Sequence, residues 1–177
     1  PEYYRKHFSD ISLDNAKGSD GRIYGVPKDK DSVCLVYNRE LFDAAGLSFP
    51  DDTWTWNDLV DASQTIYDKT GKYGYMAYAD EQLGYWNFVY QAGGYILNED
   101  KTRAGFDQPA TRKGMEFYIG LQSHEWCPDQ NYFAETNPGT AFISEQGAMY
   151  LEGNWSLMYM MKYNMNLMGK WDVAVLP

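Results

Sequence analysis

Five consecutive apolar residues, Val33-Cys34-Leu35-Val36-Tyr37, followed at once by a helical pattern that closes at Gly46, constrain this chain more than any other feature. An uninterrupted run of that length reads as a strand covered on both faces, since a half-exposed strand would alternate with polar residues. Leu41, Phe42, Ala44 and Ala45 then recur at helical spacing, and Gly46 supplies the residue past the helix end. Thr55 with Asp58 three positions later predicts a capping box, and Leu59, Val60, Ser63 and Ile66 or Tyr67 continue one face of the helix it starts. A doubly covered strand with helices after it predicts α/β layers.

The remaining elements follow the same logic. A short helix is expected around Tyr3 to Phe8, then a loop to Gly21, a strand over Arg22 to Val26 ended by Pro27, and a polar crossing over Lys28 to Ser32. Lys72 to Ala79 reads as a strand. Tyr85, Phe88, Val89 and Ala92 lie on one face of a helix stopped by Gly93-Gly94. Asp107 and Pro109 open a helix whose buried stripe is Ala110, Gly114, Phe117, Tyr118 and Leu121. Pro138 opens a short segment to Glu145, Ala148 to Leu151 reads as a strand, and Asn154 is expected to cap a Met-rich helix beginning near Trp155. Asp172 to Pro177 is a last strand. The chain starts at Pro1 inside a polar segment, and both ends read as cut.

Composition narrows the function classes. With 15 basic and 25 acidic residues the formal charge is −10, and no cluster of Lys and Arg offers a footprint for phosphates, so nucleic acid is not an expected partner. Tyr and Trp number 16 and 6, amphipathic rings that suit a ligand with both C–H faces and hydroxyls, and that suit an ordinary core equally well. Two cysteines, Cys34 and Cys127, are too few for a disulfide scaffold, and Cys34 reads as a small buried hydrophobe. His7 and His124 are far apart, and neither they nor Asp14 to Asp20 follow a metal-binding pattern, so no metal and no cofactor is expected. No Gly-x-Ser-x-Gly elbow or phosphate loop is present. Asp29, Asp31 and Glu81 remain candidates for a pair of carboxylates of the kind that hydrolyses glycosides.

Tyr24-Gly-Val-Pro27, the apolar strand, Leu41-Phe-Asp-Ala-Ala-Gly-Leu47 and the Trp54/Trp56 pair together resemble the family 1 extracellular solute-binding proteins, which deliver sugars to ABC importers. Trp86 to Tyr95, with its Gly-Gly-Tyr ending, and Ala141 to Trp155, with its Gly-x-Ala-Met strand and Gly-x-Trp turn, are similar to the same family in order and spacing. The resemblance implies one lobe of a type II periplasmic-binding-protein-like fold, a central mixed sheet flanked by helices. Residues 1–177 would be the second lobe, with hinge strands near 22–27 and 172–177 and the first lobe absent. It also implies a non-catalytic role, a sugar or oligosaccharide ligand, importer permease subunits as partners, and a place outside the cytoplasmic membrane, periplasmic or lipid-anchored. Site residues carry over where motifs match: Asp31 and Glu81 as acids accepting sugar hydroxyls and Trp155 as a stacking ring. After Glu81 the sequence departs from the maltose-type pattern, with Gln82, Leu83 and Gly84 in place of an aromatic cluster, so Asp29, Gln82 and Tyr85 are second-rank candidates. A glycoside-processing enzyme, an interaction domain with an aromatic surface, and a binding protein for a non-sugar solute are the alternatives.

Overall fold

The computed structural model describes residues 2–177, leaving aside the side chains of Tyr4, Leu157 and Met161. Where the sequence reads as one lobe, the chain separates between Ser32 and Val33 into two compact units.

In the first unit, helix α1 spans Glu2–His7 as expected. The anticipated loop after it contains a second helix, α2 (Asp10–Asn15), because Ser9 caps it by accepting the Ser12 N–H at 3.4 Å. The strand expected over Arg22 to Val26 is reduced to one antiparallel bridge between Lys17 and Ile23. Its residues have no longer ladder to join: the Gly18 N–H donates to the Arg22 carbonyl at 2.8 Å and the Tyr24 N–H to the Ala16 carbonyl at 2.9 Å, closing a tight local turn.

The second unit is built on a four-stranded mixed sheet in the order β2-β3-β1-β4, with β1 Val33–Asn38, β2 Tyr73–Tyr75, β3 Gly147–Gly153 and β4 Trp171–Ala174. Strand β1 pairs antiparallel with β3 and β4, from Val33 opposite Gly153 to Asn38 opposite Trp171, and β2 runs parallel to β3. The apolar run in β1 is covered on both faces: Leu35 and Tyr37 face one core cluster, Val36 the other. Cys34 departs from the expectation of full burial; it sits near the strand's start, half-buried, with its thiol donating to the Glu152 carbonyl at 3.4 Å.

Helix α3 (Arg39–Ala45) ends at Gly46, whose φ of 72° puts it in the left-handed region. Helix α4 (Trp56–Thr70) starts with the expected box: the Thr55 N–H donates to Asp58 Oδ2 at 2.8 Å and the Asp58 N–H to Thr55 Oγ1 at 3.5 Å. Leu59, Ala62, Ser63 and Ile66 form its buried stripe. Strand β2 stops at Tyr75, short of the predicted Ala79. The Tyr78 N–H turns back to the Met76 carbonyl and the Asp80 N–H to the Tyr78 carbonyl, at 3.0 and 2.8 Å, and these two-residue turns take the backbone off the sheet.

A π-helical turn, Glu81–Tyr85, follows and runs into α5 (Trp86–Gln91), which closes before Gly93. Helix α6 (Pro109–Leu121) buries Thr111, Gly114, Tyr118 and Leu121. It crosses α5 so closely that a Cβ on Gly114 would stand 2.5 Å from the Phe88 carbonyl oxygen. Two helices come next: α7 (Gln130–Glu135), capped by Asp129 and absent from the sequence reading, and α8 (Pro138–Ile143), capped by Asn137. Helix α9 (Ser156–Tyr163) has Trp155 at its cap position in place of the expected Asn154, and the Ser156 hydroxyl donates to the Gly153 carbonyl at 3.0 Å. Among the described residues no helix is long and apolar enough to cross a membrane. The last strand also ends early, at Ala174, which is the final rung opposite Leu35.

Candidate functional site

Strand β3 carries its apolar residues into the core and then breaks pattern at Glu152, the one residue of the strand that is not fully buried. Past it the chain turns at Gly153 and presents Trp155, which remains 45% exposed. The indole packs on the glycine: a Cβ at Gly153 would come within 2.1 Å of the ring, so only a residue without one lets the ring lie there. Trp155, Glu152 and Tyr150 line one side of a cleft of about 220 Å³, with Tyr78, Asp80 and Asn137 among the other walls.

Asp80 is held in place from two directions. Its Oδ1 accepts the Leu83 N–H at 2.7 Å, capping the π-helical turn. The loop before it is tied to α6, where the Tyr118 hydroxyl donates to the Tyr78 carbonyl and the Gln122 amide to the Ala77 carbonyl, both at 2.6 Å. In the same cleft, Glu152 Oε1 accepts the Gly153 N–H at 2.9 Å. Burial pushes the Glu152 carboxyl above its usual range and the Asp80 charge adds to this, against the Gly153 N–H and the Trp155 indole, which favour the ionised form. Burial likewise pushes the Tyr150 hydroxyl up, leaving it a neutral donor and acceptor at the cleft floor.

This arrangement has the chemistry of a binding wall: an aromatic face, two carboxylates, an amide and two phenols within one concavity. No Ser, Thr, Cys, Lys or His lines it among the described residues, and the thiol of Cys127, outside it, is buried and pushed up to about 12. Among the described residues no three His, Cys, Asp or Glu side chains stand close enough to hold a metal. His124 stacks on Trp126 with ring centroids 4.7 Å apart.

The residues singled out from the sequence fall into four places. Trp155 lines the cleft just described. Glu81 and Tyr85 line a separate, more apolar concavity of about 250 Å³ against Met115, Tyr118 and Ile119, with Asp80 bordering both. Gln82 is exposed, and its carbonyl accepts from the Asn87 amide at 2.8 Å. Asp29 and Asp31 lie in the first unit, where both line a shallow concavity with Ile11, Asn15 and Val26, and Asp29 pairs with Lys28 at 2.9 Å. Asp80, Glu152 and Asn137 were not anticipated as site residues. The signal for Glu152 was an acid inside an otherwise apolar strand, immediately before Gly-Asn-Trp.

Comparison with known proteins agrees with this architecture. A curated arabinooligosaccharide-binding protein of Halalkalibacterium halodurans is 28% identical over 148 residues, which is 82% of this chain and 31% of that protein. An ABC substrate-binding protein from Listeria monocytogenes, solved in complex with cycloalternan, superposes with a TM-score of 0.83 at 25% identity, covering 95% of this chain and 42% of its own. An ABC transporter solute-binding protein from Thermotoga lettingae, bound with α-D-tagatose, gives a TM-score of 0.70 at 31% identity over 83% of this chain and 39% of its own. The chain therefore spans less than half the length of these relatives. The family model for bacterial extracellular solute-binding proteins matches from residue 2 to residue 177, and the chain belongs to that family.

Proposed function

We propose that these residues form one lobe of a two-lobed receptor that binds a sugar or oligosaccharide outside the cytoplasmic membrane and hands it to the permease subunits of an ABC importer. In this reading residues 1–177 make up the second lobe, and a first lobe closes over the Trp155 cleft. The receptor is periplasmic or held by a lipid anchor, and it has no turnover of its own.

The observation that carries the proposal is the half-exposed Trp155 ring set on Gly153 beside the carboxylates of Glu152 and Asp80. A ring covers the C–H face of a pyranose or furanose while ionised acids accept its hydroxyl hydrogens, which is the pairing a sugar presents. Ligand held between two lobes favours the closed form over the open one, and that shift in population is what an importer reads. Within this reading Trp155, Asp80, Glu152 and Asn137 are the contacts expected from the second unit, with Glu81, Gln82, Tyr85, Asp29 and Asp31 as further candidates.

Calorimetry on the full-length protein against a panel of oligosaccharides tests it. Saturable binding that Trp155→Ala weakens about tenfold or more is the expected outcome. Binding indifferent to that substitution, or hydrolysis of a panel member that disappears in Glu152→Gln, overturns it.

A further inference from the structure

The charge of the Trp155 cleft is one-sided. Asp80 and Glu152 line it, whereas no Lys, Arg or His does among the described residues. Some acids elsewhere are neutralised locally, as Asp20 is by Arg22 and Asp107 by Arg103, but among the described residues neither Asp80 nor Glu152 joins an ion pair. Nor is Glu152 an ordinary solvated surface acid, since it is partly buried and its desolvation is compounded by the neighbouring Asp80 charge.

The fold keeps this carboxylate available to the cleft. Its Oε1 is occupied by the Gly153 N–H, while Oε2 lies 3.9 Å from the place where a Cβ on Gly139 would stand. A glycine there, one residue into α8 after Pro138, leaves that space open. Tyr150 Oη lies at the same 3.9 Å from that position and Asn137 Oδ1 at 3.4 Å, so the acid, the phenol and the amide oxygen border one spot.

We infer that Glu152, supported by Asp80, sets the charge class of the ligand: the sugar unit seated on Trp155 is not anionic, carrying no carboxylate, sulfate or phosphate. The inference rests on the sugar-binding reading above and adds a restriction to it. An ionised carboxylate only accepts hydrogen bonds, so it rewards hydroxyl donors and has nothing to give an anionic oxygen. Partial burial limits screening by salt, so repulsion of a like charge persists at ordinary ionic strength. Specificity of this kind comes from the cost imposed on the wrong ligand as much as from contacts to the right one.

The test uses the full-length protein at pH 7.5 with two sets of probes: neutral arabino-, xylo-, malto- and cellotrioses, and oligogalacturonates of the same length. Wild type is expected to bind at least one neutral probe and to bind every uronate at least about tenfold more weakly than that probe. In Glu152→Gln the ratio is expected to narrow by about tenfold or more, chiefly through gain of uronate binding, and Asp80→Asn is expected to move it the same way by less. Thermal melts of both variants identify any loss through misfolding, and either variant alone suffices for the comparison. A uronate bound within tenfold of the tightest neutral probe by wild type, or a ratio unmoved in a folded Glu152→Gln, overturns the inference and leaves sugar binding standing. Failure of every probe to bind overturns the sugar-binding reading, and the inference with it.

Discussion

The ring of Trp155 lies where the side chain of any residue but glycine at position 153 would be: an added Cβ would meet Trp155 Cζ3 at 2.1 Å and Cη2 at 2.2 Å. These are ring carbons of a bulky group, so relief requires the whole indole to move. Gly153→Ala is therefore expected to weaken sugar binding by the full-length protein about tenfold or more and to cost about 1–3 kcal/mol of stability, as overpacking usually does. Titration calorimetry and denaturant melts read the two effects separately, and wild-type affinity in the variant would show that the ring does not touch the ligand.

Glu152 gives a pH signature. Its carboxyl keeps its proton to higher pH in the folded chain than its ordinary value of 4.5, because burial and then the Asp80 charge oppose ionisation. Over the window from about that ordinary value up to the raised one, the folded state binds more protons than the unfolded state, so this group makes stability fall as pH rises. Glu152→Gln removes the effect. Its melting temperature is expected to exceed that of wild type by more at pH 7 than at pH 4, and an equal difference at both would show the carboxyl to be unstrained.

The Thr55 and Asp58 pair offers a test away from the site. Thr55→Ala removes the side chain that accepts the Asp58 N–H and donates to its carboxylate, and is expected to cost about 1 kcal/mol. Binding constants should stay within twofold, since the pair is remote from Trp155 in the cleft lining.

Both thiols are pushed up by burial, Cys127 to about 12 and Cys34 in the same direction. Thiolate is the reactive species, so neither should react readily with a disulfide reagent at pH 8. Cys127 is expected to react only on global unfolding, whereas half-buried Cys34 should react slowly in the native state. Rapid modification of two thiols per native chain would contradict the placement of Cys127.

Residues 1–177 alone should bind sugar poorly. A micromolar complex has a free energy of about 8 kcal/mol, and one lobe supplying about half of it leaves about 4, a millimolar constant. Micromolar binding by these residues without the rest of the protein would dispose of the two-lobe reading.

Local signals carried most of what could be foreseen. The β1 strand, the Gly46 helix end and the Thr55 cap are written in a few neighbouring residues and appear where expected. Boundaries set by long-range pairing were not so written: Lys72 to Ala79 has a strand-like pattern throughout, yet the strand beside β3 spans only Tyr73 to Tyr75, with one further bond from the Met76 N–H to the Met149 carbonyl before the backbone turns away. Ile23 has the composition of a strand residue, yet among the described residues its one β-bridge is to Lys17. Of the residues singled out, Trp155 lines the cleft, and the compact Gly-x-Trp motif is what marks it in the sequence. Asp80 and Glu152 were hidden because their meeting depends on the π-helical turn and on the β3 register, which sequence spacing does not encode.

Strand β3 has a hydrogen-bonded neighbour on each side, β2 and β1, and it delivers the chain directly to Gly153 and Trp155. Interior strands of this kind exchange their amide protons only on extensive opening. The indole thus follows directly from an interior strand, and in the sugar-binding reading a ligand resting on it would find its platform already assembled. Differences among sugars should then show mainly in how long each stays, not in how quickly each arrives.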